Sequence, residues 1–178
     1  VFGGSGFVGS HVADYLTEAG YEVTIFDCRQ SPYLQKGQKQ IIGTIIDREA
    51  VEKAIAGCDI VYNFAGVSDI DEAYKKPVET IEINVLGTTI ILDSCRKNKV
   101  KRLVFSSTLY VHSMAGAFYR SSKQACELII EDYNKVFGLP YTVLRFGSLY
   151  GPRSDEKNYI YRILKQALTE GKIASFGA

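Results

Sequence analysis

"YRSSKQACELIIEDY", residues 119–133, opens with Tyr119 and Lys123 four positions apart and then settles into an apolar helical rhythm. One helical turn places the two side chains on a common face. A tyrosine, with an ordinary pKa of about 10, is a poor base at neutral pH unless a nearby positive charge favours its phenolate. Lys123 is placed to supply that charge. The spacing alone decides little, because the chain holds 12 tyrosines and repeats the pattern at Tyr161 and Lys165 in "YIYRILKQAL". The first pair follows "SST", Ser106 to Thr108, at the end of an apolar run, whereas no such hydroxyl segment precedes the second.

A second chemistry-bearing stretch opens the chain. "VFGGSGFVGSHVADYLTEAG" sets Gly3, Gly6 and Gly9 in a Gly-x-x-Gly-x-x-Gly array between a strand end and an amphipathic helix. The glycines let the backbone turn tightly and approach a pyrophosphate, whose charge meets the unpaired N–H groups of the helix start, at Phe7, Val8 and Gly9. Asp27 ends the next strand, where a carboxylate accepts hydrogen bonds from adenosine ribose hydroxyls and repels a 2′-phosphate. Array and acid together predict dinucleotide binding with NAD preferred over NADP, although Arg29 stands two residues on.

The elements that must position these residues alternate along the chain. Apolar, β-branched runs occur at "YEVTIFD", "QIIGTII", "DIVYNFAG", "KRLVFSS" and "YTVLRFG"; helical periodicity covers 6–19, 48–56, 78–98 and 120–137. The alternation predicts an α/β fold, a doubly wound parallel sheet of Rossmann type with ligands at the carboxyl ends of its strands. With 178 residues, 46% hydrophobic, the chain can bury a sizeable core, and a formal charge of +1 favours neither nucleic acid nor an anionic membrane as partner. No stretch is apolar enough to span a bilayer or to act as a signal core, so a cytoplasmic location is expected. Cys28, Cys58, Cys95 and Cys126 lie far apart without a Cys-x-x-Cys, and read as reduced, mostly buried thiols with no metal site. His11 and His112 are isolated and read as structural.

"GGSGFVGSH", "NFAG", "NVLGT", "FSSTLYV", "YRSSK" and "LRFGSLYGPR" occur in an order and at a spacing that resemble the extended short-chain dehydrogenase/reductase family, the NAD-dependent nucleotide-sugar epimerases and dehydratases. The resemblance covers essentially the whole chain. It implies catalysis by Thr108, Tyr119 and Lys123: Thr108 holds the reacting oxygen, Tyr119 is the base, and Lys123 also binds the nicotinamide ribose. It implies that Asn63, Ala65 and Gly66 line the nicotinamide side of the cofactor and that Asn84 faces the active site. Tyr161 and Lys165 then read as an ordinary helix face.

Departures from the family pattern narrow the reaction. Thr44 and Ser68 stand where relatives often carry an aspartate near adenine and a lysine. Leu109 and Tyr110 stand where enzymes that eliminate water carry an Asp-Glu pair, and elimination needs both an acid and a base. The expectation is therefore an NAD-dependent nucleotide-sugar epimerase acting on a UDP- or GDP-linked sugar. A dehydratase or reductase of the same family, or a non-catalytic NAD-binding sensor, is the alternative. A homodimer through the helices at 78–98 and 120–137 is implied by the resemblance. Residues 1–150 are expected to form the NAD-binding domain. Residues 151–178 are expected to begin a substrate-binding region, in a chain truncated at both termini: only Val1 and Phe2 remain of a first strand, and the end, "IASFGA", falls where relatives continue.

Overall fold

A computed structural model describes residues 1–173. The last residues of the expected substrate-binding region, 174–178, lie outside the described residues. Val1–Arg145 form one compact unit, and a second, smaller one starts at Phe146.

In the first unit, parallel strands carry the site. Strand β1 (Thr24–Asp27) pairs in parallel with β2 (Lys39–Ile42), and β3 (Ile60–Asn63) with β4 (Arg102–Thr108); β5 (Tyr141–Phe146) flanks β4. Phe2 joins the two sets, bridging in parallel to Phe26 on one side and Asn63 on the other. Its N–H donates to Tyr62 O and its carbonyl accepts from Phe64 N–H, so two residues of chain do the work of a central strand. Asp27, Asn63 and Thr108 consequently all fall at carboxyl ends of strands around the glycine turn that follows Phe2.

Helices α1 (Phe7–Glu18), α2 (Arg48–Ile55), α5 (Gly87–Lys97) and α6 (Ala117–Phe137) pack on this sheet. The main core joins Phe2, Phe26, Ile55, Ile91, Leu103 and Ile130, all buried. Burial of such side chains is the main favourable term holding strands to helices. Asp47 caps α2 by accepting from Glu49 and Ala50 N–H, and Gly138, with φ +71°, ends α6.

Three expectations are corrected here. The run at 40–46 leaves the sheet after Ile42, because Gly43 passes so close to the Phe26 ring that a Cβ would lie 2.7 Å from it and the chain then turns towards the Asp47 cap. The helix expected at 78–98 is unbroken but not α throughout: α4 (Pro77–Ile81) runs into a π-helical turn, Glu82–Leu86, which runs directly into α5. A short helix, α3 (Ile70–Lys75), and a 3-10 turn, Leu109–His112, add two elements that the periodicity did not signal. Of the four thiols only Cys95 and Cys126 are buried, while Cys28 is exposed.

The second unit carries α7 (Tyr159–Glu170), capped by the Asn158 side chain, which accepts from Tyr161 N–H. Among the described residues no helix is long and apolar enough to cross a membrane.

Candidate functional site

The glycine turn is built around contacts that admit no side chain. Gly3 has φ +73°, and a Cβ there would sit 2.6 Å from the main chain of Phe64 and Ala65; one on Gly9 would sit 2.2 Å from Gly3 O. These two positions hold the turn flat against the end of β3. Gly6 caps α1 without a side chain, which leaves the first-turn N–H groups to a ligand, since a helix start has no intrahelical acceptors for them. Asp27 stands across the turn, one oxygen accepting from Ser5 N–H at 3.0 Å and the other from Arg29 N–H at 3.2 Å. Oδ1 also accepts from the Cys28 thiol at 3.6 Å, whereas Oδ2 keeps a lone pair for a further donor.

Thr108, Tyr119 and Lys123 come together where β4 meets α6. Thr108 is near enough to the Tyr119 phenol to lower its pKa. Thr108, buried, also accepts from Tyr110 N–H at 3.2 Å, which starts the 3-10 turn and aims the threonine. Lys123 is buried at 5% exposure; its Nζ donates to Ser106 O at 2.9 Å and lies 4.8 Å from the Phe105 ring centroid and 6.0 Å from that of Tyr119.

The electrostatics correct one expectation. Burial holds the Tyr119 phenol above its ordinary pKa and Tyr110 adds to the effect, against the lowering by Thr108. The depressed phenol expected from the Tyr119–Lys123 spacing is thus not reached by the protein alone: desolvation outweighs the stabilisation of the phenolate. Burial likewise pulls the Lys123 ammonium below its ordinary value, with nearby Cys126 opposing.

The other residues named from sequence occupy different places. Gly66, with φ +151°, lies beside both Asn84 and Lys123: a Cβ would stand 2.7 Å from Asn84 Oδ1 and 3.9 Å from Lys123 Nζ. Asn84 sits in the π-helical turn with its side chain committed: Oδ1 accepts from Val67 N–H, and Nδ2 donates to Val67 O and Ser122 Oγ. Asn63 is fully buried; its Nδ2 donates to Thr88 Oγ1, and its Oδ1 accepts from Ala65 N–H. Both asparagines therefore staple the 63–67 segment from within. Tyr161 and Lys165 lie on α7, where Lys165 pairs with Glu156. His11 packs edge-on against Phe7, and His112 ends the 3-10 turn.

The model of the NAD dependent epimerase/dehydratase family matches residues 1–178. The chain belongs to this family. A putative UDP-glucose 4-epimerase of Methanocaldococcus jannaschii is 31% identical over 88% of the chain and 57% of its own length. A UDP-N-acetyl-alpha-D-glucosaminuronate decarboxylase of Bacillus cytotoxicus is 30% identical over 99% of the chain and 63% of its own length. The crystal structure of Thermus thermophilus UDP-glucose 4-epimerase in complex with NAD superposes with a TM-score of 0.85 at 29% identity, covering 95% of the chain and 62% of that structure. The chain thus spans about three fifths of the length of the relatives it matches.

NAD is the cofactor of the family, and the residues present fit it. The glycine cradle leaves no room for a Cβ, α1 has a free N-terminus, and Asp27 faces the turn. The first-turn amides of Phe7, Val8 and Gly9 would hold the pyrophosphate, and Asp27 the ribose hydroxyls.

Sequence reasoning missed two parts of the site. Ser107, Glu127 and Arg145 form a hydrogen-bonded cluster directly behind Thr108. The Tyr110 ring stands edge-on to Tyr119, centroids 6.4 Å apart. Glu127 repeats the four-residue spacing of Tyr119 and Lys123, a signal visible in the sequence; Arg145 and Tyr110 carry no local signal of their roles.

Proposed function

We propose that the protein containing this chain is an NAD-dependent nucleotide-sugar epimerase that transiently oxidises a hydroxyl of a UDP- or GDP-linked sugar. The observation that carries the reading is the convergence of Thr108, Tyr119 and Lys123 where β4 meets α6, with the Lys123 ammonium 6.0 Å from the Tyr119 ring and Gly66 packed beside it.

NAD, when bound, supplies a reversible acceptor for the hydride that leaves the sugar carbon. The chain's own residues handle the proton and the geometry. Thr108 holds the sugar oxygen next to the phenol, a placement that lowers the entropic barrier to transfer. Tyr119 takes the hydroxyl proton as hydride departs, and returns it when hydride comes back. Its raised pKa, with Lys123 already beside it, means that the phenolate forms only with further positive charge, which the oxidised ring of the cofactor would supply. Leu109 and Tyr110 provide no carboxylate beside Thr108, which favours oxidation and reduction at one carbon over elimination.

The partner reading follows from the surface. Val78, Ile81, Leu86 and Phe118 are exposed along one apolar groove formed by α4, the π-helical turn and the start of α6. A second copy of the protein covers this groove in a homodimer, and residues 151–178 begin the substrate-binding region. The location is the cytoplasm, where free thiols such as Cys28 persist.

The test is to incubate the full protein with NAD and a panel of UDP- and GDP-sugars. Product stereochemistry is read by NMR, and transient NADH by absorbance. Interconversion of two sugars differing at one carbon, lost in Tyr119→Phe, is the expected result. Net loss of water or carbon dioxide would replace the epimerase reading by a dehydratase or decarboxylase; absence of any hydride exchange would leave an NAD-binding sensor. Sedimentation at micromolar concentration reads the dimer, which Val78→Glu with Phe118→Glu is expected to split.

A further inference from the structure

Behind the proposed catalytic residues lies a cluster that the chemistry above does not use. Ser107, 3% exposed, donates its hydroxyl to Glu127 Oε1. Arg145 closes a two-pronged pair on the same carboxylate, Nε to Oε1 at 3.1 Å and Nη2 to Oε2 at 2.7 Å. Tyr119, Lys123 and Glu127 follow one another at one-turn intervals on α6. Opposite them, consecutive residues at the end of β4 bind the same stripe, Ser106 O to Lys123 and Ser107 Oγ to Glu127, and Thr108 follows beside Tyr119.

We propose that Glu127, locked by Arg145, is a positioning residue: by gripping Ser107 it holds the end of β4 against α6 and keeps Thr108 in place beside Tyr119. The proposal rests on the reading of Thr108 and Tyr119 as the oxidation site.

The physical case is that an ordinary polar contact would do this less well. Burial alone would push the Glu127 carboxyl up, but its hydrogen bonds with Arg145 and Ser107 outweigh that and hold it below the usual range. An ionised carboxylate only accepts, so the Ser107 hydroxyl has one orientation open to it. Charge-assisted bonds are also shorter and stiffer than neutral ones. An ion pair whose arginine is 43% exposed adds little net stability, so its use here lies in geometry. A small slip of Thr108 relative to Tyr119 is enough to reduce rate without changing what binds.

The test compares Glu127→Ala, Glu127→Gln, Ser107→Ala and Arg145→Met in the full protein with NAD bound. Two readouts are taken: backbone amide exchange at residues 106–108, and kcat and KM measured well below each variant's melting temperature. Glu127→Ala should speed exchange there by roughly tenfold or more. It should lower kcat by roughly tenfold to a hundredfold, with KM for the sugar nucleotide within about twofold. Glu127→Gln keeps an acceptor for Ser107 and should recover most of the rate. Ser107→Ala removes one hydroxyl, leaves the ion pair, and covers the case in which Glu127→Ala does not fold. Unchanged exchange at 106–108 in Ser107→Ala and Arg145→Met overturns the proposal. So does unchanged kcat in both while Tyr119→Phe is inactive. If Tyr119→Phe is fully active, the oxidation reading falls instead, and exchange alone judges the brace.

Discussion

Lys123 and Ser106 are joined by a 2.9 Å hydrogen bond from the ammonium to a main-chain carbonyl, in a place where the lysine is almost wholly buried. One hydrogen bond and an aromatic face do not repay the desolvation of a cation, and burial accordingly pulls its pKa down.

This makes Lys123 a residue that the fold keeps at a cost. The folded state holds its proton less tightly than the unfolded state, so the penalty is full below the folded pKa and is relieved as pH rises towards the unfolded one. Lys123→Met removes the charge while retaining a long apolar side chain. Stability at pH 7 should rise by ~1 kcal/mol while turnover collapses. Urea unfolding alongside an activity assay checks both; a clear loss of stability would show that the Ser106 bond outweighs the burial.

The two neighbours of Tyr119 should move its titration in opposite directions. Thr108 lowers the phenol's pKa, and Tyr110 raises it. If the phenolate is the base, rate climbs as pH approaches the Tyr119 pKa from below. Thr108→Val should shift that climb to higher pH and cost roughly 10²-fold in kcat, since it also loses the grip on the reacting oxygen. Tyr110→Phe should shift it to lower pH with a change of less than about threefold at the plateau. Parallel shifts in the two variants would rule out Tyr119 as the group that titrates.

The division between what was legible in the sequence and what was not follows from the range of the interactions. The glycine array could be read because Gly3 and Gly9 sit where any Cβ would strike main chain, so the residue type records the geometry. Asp27 and Thr108 could be placed because alternating strand and helix periods put them at strand ends. The π-helical turn could not, because Asn84 is held there by Val67 and Ser122, 17 and 38 positions away, and no local pattern reports such contacts. The same applies to Asn63, spent on Thr88 at a distance of 25 positions, and to Glu127, whose partners Ser107 and Arg145 lie on two different strands. The Tyr119–Lys123 spacing was visible, but burial, which sets the sign of the Tyr119 shift, was not.

Cofactor choice should depend on Asp27. Its carboxylate is fixed by Ser5 and Arg29 N–H groups at the glycine turn, where an adenosine 2′-phosphate would meet a negative charge. NAD should bind more tightly than NADP by roughly 1–3 kcal/mol, and Asp27→Ser should remove most of that gap. Isothermal calorimetry with both dinucleotides checks it; NADP binding as tightly as NAD to the unaltered protein would move the specificity to Arg29.

Glycines six and nine should respond very differently to the same methyl group. A Cβ on Gly9 would lie 2.2 Å from Gly3 O and 2.8 Å from Gly3 C, both main-chain atoms with no freedom to rotate away. Either α1 must lift from the turn or the turn must open, so Gly9→Ala should cost on the order of 1–3 kcal/mol in stability. Because the same turn presents the helix amides, NAD affinity should fall with it, by at least about tenfold. At Gly6 the nearest atom to a Cβ is Gly3 O at 3.3 Å, and the backbone, with φ −85°, suits any residue. Gly6→Ala should therefore cost only about 1 kcal/mol of stability, the usual penalty for alanine at an N-cap, with no added clash. Its effect should instead fall on NAD, whose pyrophosphate needs close approach to that backbone. Thermal unfolding with and without NAD separates the two: Gly9→Ala lowers Tm in both conditions, whereas Gly6→Ala mainly shrinks the shift produced by NAD. A Gly6→Ala variant that unfolds well before Gly9→Ala in the absence of NAD would contradict this account of the turn.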